Sequence, residues 1–144
     1  MNTRILIAVV VSMFLCQQVH AQDDEPEQPE AEATELEGTW EFVTLVLPDG
    51  IHHYLGSERF EGNLLYSRSF GRDWHSGSRF SLDPSVMPAE IDLAGSMKGI
   101  YELDGDLLTI CFDGPNGRPD RFESSEDYPT ILWVLRRVTE EESE

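Results

Sequence analysis

The sequence predicts an all-β domain that folds as a small antiparallel up-and-down barrel or as a sandwich, with about eight strands. Short segments that alternate between apolar and polar residues follow one another between residues 36 and 138. Turn residues, among them Pro48-Asp49-Gly50 and Asp104-Gly105, separate these segments. After the first 21 residues no amphipathic pattern is long enough for a useful helix, so the core is expected to come from strands.

The first predicted strand is TWEFVTLVL, residues 39–47. Successive side chains of a strand point to opposite faces of the sheet. We therefore expect one face to carry Trp40, Phe42, Thr44 and Val46, and the other to carry Glu41, Val43 and Leu45.

Four further strand patterns occupy the middle of the domain. In chain order they are ERF (58–60), LLYSRSF (64–70), DWHSGSRFSL (73–82) and AEIDL (89–93). Glu61-Gly62-Asn63 forms the turn between the first two, Gly71 breaks the second, and Asp83-Pro84 ends the third. The register of residues 50–60 stays open.

The segment KGIYELDGDLLTICF, residues 98–112, has the clearest hairpin pattern. Asp104-Gly105 between two alternating runs favours a type I′ turn, and this turn places Tyr101 opposite Leu108. The predicted core face consists of Tyr101, Leu103, Leu108, Ile110 and Phe112. Cys111 falls on the outer face, where we expect it to be only partly covered.

A long loop and one strand complete the domain. Residues 113–129 contain three prolines and no strand period, which predicts the loop. TILWVLRRV, residues 130–138, is the last predicted strand.

The two ends of the chain differ in composition from the domain. Residues 1–21 are typical of a signal peptide, with cleavage expected before Gln22 and a periplasmic or extracellular destination. Lipoprotein anchoring at Cys16 is disfavoured because the preceding Leu15 is not small. Residues 22–35 predict an acidic, disordered leader, residues 36–138 the folded domain, and residues 139–144 an acidic tail.

Charge and cysteine content exclude several function classes. The formal net charge of −18 disfavours nucleic acid as a partner. We expect a monomer, with no membrane insertion after signal cleavage. Cys111 would be the only cysteine left after cleavage, so no intrachain disulfide is expected.

Gly38-Thr39-Trp40 on the first strand resembles the Gly-x-Trp signature of the lipocalins. In that superfamily a basic residue at the end of the last strand packs on the tryptophan and helps to close the barrel. The resemblance implies that Trp40 and either Arg136 or Arg137 close one end of a barrel here.

A more extensive resemblance covers residues 36–138. It rests on LEGTWEFVTL, RFSLDPSVMPAEIDL, GIYELDGDLLTICF, GRPDRF and VLRRV, in that order. Together these motifs resemble an uncharacterised lipocalin-like domain family common in planctomycete bacteria. The resemblance implies a small exported antiparallel barrel and supplies no catalytic residues.

A set of mostly aromatic side chains falls on the expected inner faces. Its members are Trp40, Phe42, Tyr66, Phe80, Tyr101, Ile110 and Trp133. They could line a pocket for a small apolar ligand. Arg68, Ser76 and Ser78 are the polar residues expected on the inward faces, and they could orient a ligand head group or simply lie near the mouth of the barrel. The mostly aromatic set could equally fill the barrel, which would leave a solid module that contacts an envelope or extracellular protein.

Arg118 and Arg121 flank Pro119 in the long loop and could together bind an anion. The alternative is that they form ion pairs with acidic neighbours such as Glu123, Glu126 or Asp127, and Phe122 could fold inward as a lid.

No pattern of residues predicts a metal site, a cofactor or catalysis. Adjacent His52 and His53 point to opposite faces of a strand, and His75 stands alone, so no metal site is expected. The acidic candidates for glycoside hydrolysis fall on outer faces or in turns, and they are Glu90, Asp92, Glu102 and Asp106. No other catalytic motif is present, which favours a non-enzymatic protein.

Overall fold

The computed structural model describes residues 33–94, 96–114 and 117–139. The predicted signal peptide with Cys16, most of the predicted leader and most of the acidic tail lie outside these residues. A single helical turn, α1 (Ala33–Leu36), precedes nine strands. The strands are β1 (Gly38–Leu47), β2 (Gly50–His52), β3 (Gly56–Glu61), β4 (Leu64–Ser69), β5 (Ser78–Asp83), β6 (Ala89–Leu93), β7 (Met97–Asp104), β8 (Leu107–Phe112) and β9 (Ile131–Arg137).

The sheet closes on itself into a barrel. From β3 to β9 each strand pairs antiparallel with the next one along the chain, and β1 pairs with both β3 and β9. Eight strands therefore form a closed antiparallel barrel, and the short β2 adds a ninth strand that pairs with the end of β1. The predicted up-and-down barrel of about eight strands is confirmed, and the sandwich alternative is wrong.

Strand β1 changes its partner and its register half-way along its length. Its first four residues pair with β3 and its last three with β2, with a bulge against β9 between Phe42 and Thr44. The extra residue reverses the alternation, so Leu45 lies opposite the inward Trp133. The prediction that Thr44 and Val46 share the face of Trp40 is therefore wrong, because a bulge cannot be read from alternation.

The β7–β8 hairpin has the predicted faces but not the predicted register. Its turn residues are Gly105, with φ of 57°, and Asp106. Tyr101 therefore pairs with Ile110 rather than with Leu108. A shift of two positions leaves every side chain on its original face, so the predicted core face is correct.

The inner faces supply one continuous apolar core. Its buried members include Leu36, Trp40, Phe60, Leu65, Phe80, Ile91, Tyr101, Leu108, Ile110, Phe112 and Leu135. Aromatic rings meet edge to face, as in Phe60–Phe80 with centroids 5.1 Å apart and Phe112–Trp133 at 4.9 Å. At Gly99 an added Cβ would lie 2.7 Å from the Phe112 ring, so the glycine provides space for that ring.

The segment between β8 and β9 folds back over the outer face of the hairpin. The Cys111 side chain beneath it is 0 % exposed, and its thiol lies 3.7 Å from the Glu123 carbonyl. The expectation that Cys111 is only partly covered is therefore wrong, because the predicted long loop folds over it. Burial also raises the pKa of the Cys111 thiol, which makes the reactive thiolate scarcer.

Strand β5 is shorter than predicted. It begins at Ser78, whereas residues 73–77 have no strand structure. These residues instead run beside β4, where the His75 amide donates a hydrogen bond of 2.9 Å to the Ser67 carbonyl. Trp74 is thereby held on the outside of the barrel.

Candidate functional site

Six of the seven residues predicted to line the barrel lie on its inner face. Trp40, Phe80, Tyr101 and Ile110 are buried in the core, and Phe42 and Trp133 are partly buried against it. Tyr66 is on the outer face, because it pairs with Arg59 while the adjacent pair of buried residues points inward. Its predicted inward position is wrong, since the register of β3 fixes the faces of β4.

One end of the barrel, the floor, is closed by Trp40 and Arg137. The Arg137 guanidinium lies 4.3 Å from the centroid of the indole ring. It also donates hydrogen bonds to the Glu37 carbonyl at 2.8 Å and to the Glu35 carbonyl at 3.0 Å. The indole nitrogen donates to the Leu36 carbonyl at 2.8 Å, which holds the buried Leu36 side chain against the core.

Of the two arginines predicted to close the barrel, Arg137 is the one whose guanidinium lies over the Trp40 ring. Arg136 lies on the outer face and forms an ion pair with Glu41. Successive residues of a strand face opposite ways, so only one of the two can reach the floor. The assignment of Arg136 to the floor is therefore wrong.

A carboxyl group lies inside the barrel above Trp40. Glu58 pairs directly with Trp40 across β1 and β3 and is only 4 % exposed. The Ser67 hydroxyl donates a hydrogen bond of 2.6 Å to it. Burial raises the pKa of Glu58 from 4.5 to about 7, although the hydrogen bond from Ser67 acts in the opposite direction.

The sequence reasoning did not identify Glu58 as an inner residue. The alternation in SERFE places Glu58 and Phe60 on one face, so a firm register for residues 50–60 would have revealed it. The missing information was the departure of β1 from β3 after Glu41, which is a tertiary feature.

A cleft opens where β1 leaves β3. We call it the wall cleft; its volume is about 440 Å³, within the usual range of small-molecule sites. Its lining consists of Glu41, Phe42, Tyr54, Leu55, Gly56, Ser57, Arg68, Phe70, Gly71 and Arg72. Phe42 and Tyr54 meet edge to face with centroids 4.9 Å apart, so one residue of the predicted pocket reaches this cleft.

The apolar rim of the wall cleft is open to solvent. Leu55 is 70 % exposed and Phe70 is 82 % exposed. A hydrogen bond of 2.8 Å from the Phe70 amide to the Leu55 carbonyl holds the two segments together. Exposed apolar side chains gathered beside a concave surface are typical of binding sites.

The polar residues predicted near the pocket do not lie together inside the barrel. Arg68 points outward, because it pairs with Ser57 on the outer face. Ser78 lies on the inner register but is exposed, and Ser76 lies in the segment before β5. The inward position predicted for Arg68 is wrong for the same reason as that of Tyr66.

Outside the barrel, Arg68 belongs to a stack of cations and aromatic rings. Its guanidinium lies 4.4 Å from the centroid of the Trp74 ring. Arg59 lies 4.7 Å from the same ring and 5.0 Å from that of Tyr66. Such contacts hold a guanidinium in place while its edge remains able to donate hydrogen bonds.

Arg118 and Arg121 do not form an anion site together. Arg118 donates to the Gly99 carbonyl at 2.7 Å and to Asp92 at 2.7 Å, so it fastens the long segment to β6 and β7. Arg121 pairs with Glu123 at 2.8 Å, as the ion-pair alternative predicted. The acidic partner of Arg118 is instead Asp92 on β6.

The pKa of Asp92 is lowered by this environment. Although burial favours its protonated form, hydrogen bonds from Lys98 and Arg118 favour the carboxylate and lower the pKa of Asp92.

The histidines and acidic candidates are dispersed. His52 pairs with Asp49 at 2.7 Å, while His53 and His75 are exposed. Across the part of the chain that the structure describes, no group of three or more His, Cys, Asp or Glu side chains is arranged to hold a metal ion. None of the helices within the described ranges is long and apolar enough to cross a membrane.

Comparison of the chain with models of protein families, with curated proteins and with solved structures found no match. The functional argument therefore rests on the barrel, the wall cleft and the residues around them.

Proposed function

We propose that this protein is an exported lipocalin-like domain that binds a small apolar molecule in the wall cleft. The observation that carries the proposal is the cleft of about 440 Å³ with exposed apolar residues at its rim. The buried apolar side chains form one core cluster on the inner faces of the barrel. The proposed site is in the wall of the barrel, where β1 and β3 separate.

In the role that we propose, the protein is not a catalyst, needs no cofactor and acts as a monomer in the periplasm or outside the cell. Export is supported by the signal-peptide pattern of residues 1–21. The barrel is also consistent with membership of the lipocalin-like family, to which Gly38-Thr39-Trp40 and the following motifs are similar.

A second candidate function is contact with an envelope or extracellular protein. The continuous apolar core and the exposed side chains of Leu55 and Phe70 favour it, because exposed apolar residues also mark protein interfaces. Under this alternative the rim of the cleft would contact a protein, and the cleft would hold no small molecule.

Titration with an apolar dye that accepts fluorescence energy from tryptophan separates the two candidates. We expect saturable binding that competing apolar molecules displace. Energy transfer should report this binding, because Arg68 in the lining of the cleft contacts Trp74. Leu55→Ser should weaken binding by about tenfold, since it removes buried apolar area from the complex. Met87→Ser is the control, because Met87 is exposed in the β5–β6 connection outside the cleft. Absence of saturable binding would rule out the small-molecule proposal.

A further inference from the structure

Two arginines of the wall cleft, Arg68 and Arg72, have no carboxylate partner among the described residues. Among the described residues, neither the Arg68 nor the Arg72 side chain forms an ion pair or a hydrogen bond. Most other arginines of the described residues are matched with carboxylates, as in Arg118 with Asp92 and Arg121 with Glu123, and the exposed Arg79 on β5 is the exception among them. Two unpaired guanidiniums that line one cleft are unusual in a chain of net charge −18.

The acidic lining of the cleft does not neutralise these arginines. Glu41 is the one carboxylate in the lining, and it forms an ion pair with Arg136 on β9. The charge of Glu41 is thereby already offset by a cation outside the cleft. Arg68 and Arg72 leave the cleft with an excess of positive charge.

The Arg68 guanidinium is also held in position. Its Cζ atom lies over the Trp74 ring, 4.4 Å from the ring centroid, and Trp74 in turn contacts Arg59. Stacking occupies the face of a guanidinium and leaves its edge N–H groups free, in the fork geometry that matches a carboxylate or phosphate. Little side-chain entropy remains to be lost when an anion binds to such a group.

We propose that the ligand of the wall cleft carries an anionic head group, a carboxylate or phosphate, on an apolar body. Arg68 binds the head group through its edge N–H groups and Arg72 adds a second positive charge, while Phe42, Tyr54 and Leu55 contact the apolar body. This inference rests on the proposed function, because it names the chemical class of the molecule that the cleft takes.

The test compares decanoate with decanol, which share an apolar chain and differ in the charge of the head group at pH 8. Each compound is titrated into the complex of the purified protein with the apolar dye at low salt, and displacement of the dye is measured. We expect decanoate to bind at least about tenfold more tightly than decanol, since hydrogen bonds to a charged group are the strong ones. Hexadecyl phosphate and hexadecanol provide the same comparison for a phosphate head group.

Substitutions of the two cleft arginines test whether they cause the preference for the anion over the alcohol. Arg68→Gln should reduce the preference for the anion to about threefold or less, and Arg72→Gln should reduce it in part. Arg79→Gln is the matched control, because Arg79 is an exposed arginine on β5 outside the cleft. Circular dichroism of each variant establishes that the barrel remains folded.

The outcomes separate the inference from the proposed function. Equal binding of the anion and the alcohol in both pairs would overturn the anionic head group and leave the apolar site standing. A preference for the anion that Arg68→Gln and Arg72→Gln leave unchanged would also overturn the assignment. If no compound of either pair displaces the dye, the inference fails together with the proposed function.

Discussion

At the scale of single residues, the most consequential side chain is Glu58. A carboxyl group beside Trp40 in an apolar interior is costly to ionise, and Ser67 offers it one hydrogen bond. The raised pKa of about 7 follows from this burial. Glu58 is therefore largely protonated in mildly acidic solution and ionised in mildly basic solution.

The first prediction concerns the effect of Glu58 on stability. The unfolded chain releases this proton near pH 4.5 and the folded protein near pH 7. The stability contributed by the raised pKa is thus fully present below pH 4.5 and is lost as the pH rises through 7. A gap of this size corresponds to about 3 kcal/mol of unfolding free energy.

Glu58→Gln removes the ionisation and keeps an oxygen that can accept the hydrogen bond from Ser67. In urea melts at pH 8 we expect this variant to be more stable than the wild type, by up to about 3 kcal/mol. At pH 4 the two proteins should differ by less than about 1 kcal/mol. The same difference at both pH values would show that Glu58 is not buried as an acid with a raised pKa.

At the scale of elements, the barrel floor depends on the register of β9. Arg137 reaches Trp40 and the carbonyls of Glu35 and Glu37, so it joins β9 to β1 and to the segment before β1. Arg136, one residue earlier, forms an exposed ion pair with Glu41. The second prediction separates these two roles.

Arg137→Gln should lower the unfolding free energy by about 1–3 kcal/mol, since it removes the cation–π contact and two charge-assisted hydrogen bonds. Arg136→Gln should cost less than about 1 kcal/mol, the range of exposed ion pairs. Chemical denaturation followed by tryptophan fluorescence measures both. A larger loss from Arg136→Gln would contradict the assignment of the floor to Arg137.

The third prediction concerns the segment between β8 and β9, which covers Cys111. Arg118 fastens this segment to β6 and β7, so Arg118→Ala should let it open more often. We expect a thiol reagent to modify Cys111 about 10 to 100 times faster in this variant, because hydrogen bonds from a charged donor resist opening most strongly.

Arg121→Ala is the control for that experiment, since Arg121 pairs with Glu123 at the exposed surface. Its labelling rate should stay within about threefold of the wild-type rate. If Arg118→Ala and the wild type react at the same rate, Arg118 does not hold the segment in place.

At the scale of the whole molecule, strand alternation predicted the barrel and most of its core. Trp40, Phe80, Tyr101 and Ile110 lie inside as expected, because each belongs to a strand with a clear period of two. Tyr66 and Arg68 were assigned to the wrong face, since the pattern of β4 is almost equally apolar on both sides. Only pairing with β3 fixes which of its faces is inside.

The wall cleft could not be predicted from the sequence. It arises where β1 bulges after Phe42 and leaves β3, and residues distant in the chain then meet around the gap. No motif or spacing in the sequence indicates that Leu55, Arg68 and Arg72 line the same cleft. Local sequence patterns define the strands. A gap between two strands depends on which strands pair along each part of the closed barrel, and that pairing is a tertiary feature.

The central claim is that the wall cleft binds a small apolar molecule. Amide NMR spectra of the isotope-labelled protein, recorded during titration with decanoate, test it most directly. The account predicts saturable shifts concentrated in residues 54–57 and 68–72, with little change at the floor around Trp40 and Arg137. Absence of saturable shifts, or shifts confined to residues outside the cleft, would contradict it.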